Sequence, residues 1–349
     1  MQPPDEASTA IAAAAPDGAE SAGPVAVAAL TPMQERTLAL LRRPDEPLVF
    51  DQAFVSEFVA EATDGVAQLS QRLAGETLWV SKSFLARVHG CEVFHLLPND
   101  FEWRPSTAAG FVAHKAIELA LNWRGEPAPA TVVDESLARL ADQADSRGAF
   151  VAGLTDADWA ELRSRAIDRC TKFLQDFPPL PLSAHPVLEA AAKWRPDGTI
   201  ELSGKVDLQV GKPFGRESRL LIVDFKSGYR SFHHRDDLRF YAVVQTLRQQ
   251  VPPRKLVTYY LDYAESEVED VTEGNLRSGL RRALDGIEMH IELTVEGRPP
   301  VKRPGISCRW CPLQEECEEG RTFLRGDDPE TLDDPETLDD PETLDDVDS

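Results

Sequence analysis

Residues 199–210 read TIELSGKVDLQV and residues 219–228 read RLLIVDFKSG. Both are strand-length and rich in Val, Ile and Leu. Upstream, VLEAAAKW at 187–194 precedes the turn RPDG, where Asp197-Gly198 is a strong hairpin signal. The three segments predict three consecutive strands, the last apolar enough to be central. A side-chain period of two puts Asp224 and Lys226 on one strand face. Asp207 lies on the preceding strand, within reach of both across a hairpin.

Further along, a helix is expected near 234–249, a strand KLVTYYLDY at 255–263 and a long helix near 272–294. Before the strands the period is helical. It runs from Pro32 to about Leu73, through SFLARVHGCEVFHLL (capped by Ser81 or Ser83), then 107–123 and 130–176. Pro178, Pro179, Pro181 and Pro186 end that region. The order predicts an α/β fold: a mixed sheet core flanked by helices, with a helical N-terminal elaboration. The expected domain spans 32–326, with a helical region at about 32–185, a core at about 186–300 and a cysteine segment at 305–320. Residues 1–31 are Ala/Pro-rich and read as a disordered leader. Residues 327–349 repeat DDPETL three times and read as a disordered, acidic, solubilising or partner-binding tail.

The chain has 349 residues, with 37 Lys and Arg against 60 Asp and Glu, a net charge of −23. The tail supplies twelve of those acids and no base. A globally basic nucleic-acid binder is excluded, but a local basic patch is not, because fields decay over about 8–10 Å at ordinary salt. No apolar run of about 18 residues predicts a membrane span. Five cysteines, three of them close together, do not form a secreted disulfide framework. Asp5, Glu6 and Asp17 lie where a signal peptide would be basic and apolar. A cytoplasmic location is expected.

Asp207 and Asp224 are hard oxygen ligands suited to Mg²⁺ or Mn²⁺. A metal there could polarise a phosphoryl oxygen and acidify a water, and Lys226 could stabilise developing charge. Taken alone, D-x-K reads first as a solvated ion pair, since the pattern occurs by chance in many chains. The setting differs here, because the pair follows LLIV directly.

The order G-x-x-x-H (Gly110 to His114), G-K-V-D (Gly204 to Asp207), D-F-K-S-G (Asp224 to Gly228) and D-L-R-F-Y (Asp237 to Tyr241) resembles the PD-(D/E)XK nuclease superfamily, in particular its RecB-like branch. The resemblance implies a restriction-endonuclease-like core. It implies that His114, Asp207, Asp224 and the Phe225 backbone carbonyl are metal ligands. Lys226 would be the catalytic lysine, and Tyr241 would face the site or the nucleic-acid backbone. Glu189, near the first strand's start, is a further candidate ligand. One position departs from the family pattern: the Gln expected four residues before Tyr241 is Asp237. An ionised Asp only accepts hydrogen bonds, so Asp237 is expected to hold Arg235, Arg239 or a metal rather than a phosphate.

Cys308, Cys311 and Cys317 form C-x₂-C-x₅-C, and Cys91 lies far upstream. Four thiolates suit Zn²⁺ or an iron–sulfur cluster, and thiol chemistry does not separate the two. The resemblance to AddB-like and CRISPR-adaptation nucleases, with one cysteine before the core and three after it, implies a [4Fe–4S] cluster stapling the two regions. His95 is an alternative ligand if the metal is zinc. Cys170 reads as a buried small residue.

Arg230, Arg235 and Arg239, with His233 and His234, are expected to position phosphates. Arg277, Arg281 and Arg282 form a second basic group, and Lys302, Arg303 and Arg309 a third. The function implied is a metal-dependent DNA nuclease hydrolysing phosphodiester bonds, RecB-family exonuclease-like, in DNA repair or processing. The chain has no G-x-x-x-x-G-K-[ST] loop, so a helicase partner would act in trans. Two alternatives stay open: a degenerate nuclease fold that only grips DNA or a partner, and a zinc-stabilised interaction protein.

Overall fold

The computed structural model describes residues 29–326 except 74, 99–102 and 232. The leader up to residue 28 and the DDPETL tail lie outside the described residues. Helix α1 (Pro32–Leu41) is capped by Thr31 and α2 (Gln52–Ser70) by Asp51. A single helical stretch from Pro32 was expected. The chain instead breaks after Leu41, where Pro44 and Pro47 cannot continue a helix. The short strand β1 (Leu78–Val80) leads into α3 (Lys82–His89), capped by Ser81. The next expected helix also divides, at Gly90, and α4 (Glu92–Leu96) starts at Cys91.

Four helices follow: α5 (Pro105–Leu121), α6 (Pro129–Ala141), α7 (Ser146–Ala152) and α8 (Asp156–Asp176). They share a core of small and branched residues from Ala108 to Cys170. Cys170 is fully buried there, and burial pushes its thiol up to about 12. This is the helical elaboration.

The sheet comes next: β2 (Pro186–Trp194), β3 (Ile200–Val210), β4 (Leu221–Lys226), β5 (Lys255–Tyr260) and β6 (Glu265–Asp270), with α9 (His234–Gln249) crossing between β4 and β5. Helices α10 (Glu273–Thr294) and α11 (Glu318–Gly326) complete the described chain. Six strands run in the order β1-β3-β4-β5-β6, and β2 pairs with β3 from the other side. The β2–β3 hairpin turns at Asp197-Gly198, where Asp197 accepts from the Thr199 and Ile200 amides and Gly198 has φ +80°.

Two strands were not expected. β1 has three residues, too few to show a period. β6, ESEVED, is an edge strand whose charge hides its pairing with β5.

One sheet face packs on α2, α9 and α10 through Ile200, Leu202, Ile222 and Leu256. The other packs on α5 and α8 through Leu221, Val223, Phe225 and Tyr259. Asp224 and Lys226 therefore share the α9 face. The β2–β3 ribbon changes sides midway: Ala192 and Val206 pack in the first core, Leu188 and Leu208 in the second. The change falls where Glu189, in the left-handed region at φ +51°, lies opposite Asp207.

Candidate active site

Strand β3 pairs with β1 at Ile200 to Leu202 and with β4 at Leu208 to Val210. β2 lies along its opposite edge, so β1 and β4 share one edge and leave residues 203–207 between them. Among the described residues no strand fills that gap, and the candidate residues gather there. Asp207 is 3% exposed and Asp224 is 1% exposed. The Asp207 carboxylate accepts a hydrogen bond from the Phe225 backbone N–H, which pins β4 where it leaves β3.

Asp207 Oδ1 is buried without a hydrogen-bond partner, and His114 Nδ1 on α5 lies 3.6 Å away. That distance is too long for a hydrogen bond. Burial pushes the Asp207 carboxyl up from its ordinary range. His114 opposes this, while Asp224 and Glu189 add to it. Glu189 is held by Lys205, at 2.8 Å, and Lys115, at 3.6 Å.

Lys226 Nζ lies 3.0 Å from Asp224 Oδ2 and 3.1 Å from Asp237 Oδ2. Asp237 thus holds the lysine of D-x-K. It was expected on Arg235, Arg239 or a metal, but those arginines are engaged elsewhere. Arg230, Arg235 and Arg239 pair with Glu265, Glu267 and Glu269, which alternate along β6. The arginines expected to position phosphates are therefore largely neutralised by the edge strand. Arg277 pairs with Glu57 and Glu61 on α2, tying two helices together. His234 adds no charge: burial, then Lys226, lowers it to about 3.

Tyr241 was expected to face the site or the nucleic-acid backbone. It is 1% exposed, and its ring lies against Gly204, where an added Cβ would come within 2.5 Å of the ring. Its contact toward the site is Lys82, whose Nζ is 5.5 Å from the ring centroid. Lys82 is the residue that sequence reading missed. It is 6% exposed and its Nζ lies 3.5 Å from Asp224 Oδ1. The one available signal was its place at the first position of a helix, where the dipole disfavours a cation.

The orphaned, buried Asp207 Oδ1 suits a hard divalent ion, with Asp224 and His114 nearby and the Phe225 carbonyl on the adjoining backbone. Among the described residues, no three His, Cys, Asp or Glu side chains are already set to hold a single ion. Beside the gap, a cavity of about 350 Å³ runs from Asp237 and His234 past Arg282 and Arg303 to Ser307.

Cys91, Cys308, Cys311 and Cys317 line one cavity of about 210 Å³. Burial raises the Cys308 and Cys311 thiols, and the neighbouring thiols raise them further. His95 does not join them: its Nε2 lies 2.9 Å from His290 Nδ1, on α10. Glu92, 1% exposed, joins the two sides of this region by accepting from the Val301 amide, Arg298 and Arg303. No described helix is long and apolar enough to cross a membrane.

A family model described as the PD-(D/E)XK nuclease superfamily matches residues 82–318. No curated protein matches the chain. Among solved structures, a candidate exonuclease from Eubacterium rectale is 12% identical, with a TM-score of 0.40, covering 71% of this chain and 88% of that one. Scheffersomyces stipitis Rai1 is 11% identical, with a TM-score of 0.24, covering 70% and 74%. Neither structural likeness is strong enough to add to the family match. That match spans the helix bearing His114, both aspartate-bearing strands, the D-x-K lysine and the cysteine segment, and by it the chain belongs to the PD-(D/E)XK nuclease superfamily.

Proposed function

We propose that the chain is a divalent-metal-dependent DNA nuclease that hydrolyses phosphodiester bonds. The observation that carries this reading is the pair of buried carboxylates at the strand gap, each with an oxygen that makes no hydrogen bond, beside a lysine held by two carboxylates. Burying two carboxylates this close is costly unless cations answer them. Asp207, Asp224, His114 and the Phe225 carbonyl would hold the ion, and Glu189 lies close enough to influence Asp207 electrostatically. A bound divalent ion supplies a polarised phosphoryl oxygen and a water of lowered pKa.

The protein's own groups do the rest. Asp224 and Asp237 hold the Lys226 ammonium from two sides. There it can donate to oxygen charge that develops during hydrolysis. Asp237 thereby does a different job from an amide at its position: it orients the lysine and leaves phosphate contact to others. Arg282 and Arg303 line the cavity that reaches Asp237, and a nucleic-acid strand leaving the gap would meet them there.

We further propose that the chain is of the RecB-like type and carries a [4Fe–4S] cluster on Cys91, Cys308, Cys311 and Cys317. Four thiols around a cavity of about 210 Å³ favour a polynuclear cluster. A setting in DNA repair or processing, with a helicase acting in trans, follows from this branch.

The test is degradation of end-labelled DNA by the full chain with Mg²⁺ or Mn²⁺, with and without EDTA, for wild type, Asp224→Ala and Lys226→Ala. Metal-dependent cleavage lost in both variants is expected. Binding of DNA without cleavage under any metal would instead favour a degenerate, gripping protein.

A further inference from the structure

Lys82 is a second buried lysine on the carboxylate of Asp224, and the mechanism above leaves it without a task. Lys226 Nζ holds one oxygen, Oδ2, at 3.0 Å, and Lys82 Nζ holds the other, Oδ1, at 3.5 Å. We propose that Lys82 stands in for a second divalent cation at Asp224, so that the site takes one ion and not two. The inference rests on the nuclease reading of the same site.

Three observations carry it. Lys82 is placed against its own helix: it is the first residue of α3, where the dipole is positive and a cation is disfavoured. Its ammonium is also withdrawn from water, at 6% exposure, a cost accepted by charged groups only beside a strong partner. Finally, its position is built. Gly204 lets the Tyr241 ring approach the sheet, and the ring lies 5.5 Å below Nζ, supporting the ammonium through its π face. A side chain at residue 204 would displace that ring. Gly204, Tyr241, Lys82 and Asp224 thus form one chain of contacts ending on Asp224 Oδ1.

Two-ion nucleolytic sites hold their ions about 3.5–4 Å apart and need carboxylate oxygen for both. At this site Asp207 Oδ1 and Asp224 Oδ2 make no hydrogen bond and can serve one ion, while Asp224 Oδ1, which a second ion would need, faces the Lys82 ammonium. One permanent charge from the chain therefore replaces one exchangeable ion. The substitution gives up the second ion's Lewis acidity and removes its concentration dependence.

The test counts Mn²⁺ bound by the full chain, by equilibrium dialysis and electron paramagnetic resonance. Only ions lost in Asp224→Asn are attributed to the site, which sets aside weak binding by the acidic tail. Wild type and Lys82→Arg are expected to hold one such ion. Lys82→Met, with no charge and nearly the same length, is expected to hold two, with the line broadening of a spin-coupled pair. The affinity for the first ion should also rise on the order of tenfold, because a near cation has been removed. A count of one in Lys82→Met with unchanged affinity overturns the proposal, as do two ions in wild type. The wild-type count decides even if the methionine variant does not fold. Cleavage by wild type with no change in counts across the variants would sink this inference and leave the nuclease reading standing. The expected counts without cleavage by wild type would do the reverse.

Discussion

The strand gap and the thiol cavity both gather ligand-type side chains from distant parts of the chain, but the backbone holds them differently. Asp207 and Asp224 sit on paired strands, at most 3% exposed, with a hydrogen bond from the Phe225 amide to Asp207 setting their separation. Cys91 sits at the N-cap position of a five-residue helix without a side-chain cap bond, and Cys308 lies in a 3₁₀ turn, with Cys311 and Cys317 on either side of the turn at 312–316. Few hydrogen bonds fix those thiols; a single carboxylate, Glu92, clamps the loop that follows α10 to α4. Sheet register therefore fixes the two carboxylates of the first site relative to one another. The second site depends more on what fills it.

The largest effect that can break this comparison is on chemistry. Asp224→Ala and Lys226→Ala should each lower DNA cleavage by about 10³-fold or more, with a native circular dichroism spectrum. Wild-type rates in either variant would remove the gap from the reaction.

Stability should separate the two regions next. Chelating the divalent ion with EDTA should move the melting temperature by no more than about 2 °C, since strand pairing holds the two carboxylates without it. Cys311→Ser should lose most of the roughly four irons expected per chain and lower melting by about 5 °C or more. Equal shifts would show that both sites depend on their metals to the same degree.

The support behind the gap comes third. Arg169, with a side chain 5% exposed, pairs with Asp262, which also takes the Gly228 amide just after Lys226. Asp262→Ala removes the carboxylate from that buried guanidinium and the acceptor from the Gly228 amide, and should cost about 3 kcal/mol in urea unfolding. An unchanged midpoint would mean that the turn after D-x-K is held by other contacts.

A smaller, pH-dependent effect belongs to the thiol side. Burial, then His290, lowers His95 from 6.5 to about 4. The folded state keeps His95 neutral while the unfolded chain takes up a proton below pH 6.5. Its contribution is therefore whole above pH 6.5 and is lost as pH falls toward 4, by at most about 1.4 kcal/mol per unit. His95→Gln should flatten the fall in melting temperature over that window; an identical slope in the variant would exclude the histidine pair as its source.

The smallest effect is on the edge. Arg235 is paired with Glu267 at 3.7 Å, so Arg235→Ala should change DNA affinity by about threefold or less. A tenfold loss would mean that substrate competes the glutamate away.

Much of this was legible in advance for local reasons. The hairpin at Asp197-Gly198, the strands LLIVDFK and KLVTYY, and the helix at 234–249 follow from turn chemistry and apolar period. Placing Asp224 and Lys226 on one face needed only the strand's period of two. Edge strand β6 escaped because its ladder partners lie on another segment and its side chains are those of a solvated loop. The neutralised arginines escaped with it, since Glu265, Glu267 and Glu269 meet them only once β6 is in place.

Local order along the chain thus carried the mixed sheet, its flanking helices and the residue types able to bind a metal, because strand period, turn chemistry and helix caps act over a few residues. Which charges meet was decided only by tertiary packing. Lys82 reaches Asp224 across 142 residues, and Lys226 finds Asp237 through the crossover into α9. A lysine's role depends on the carboxylate it faces and on the water excluded around both, and neither quantity exists until the sheet has closed.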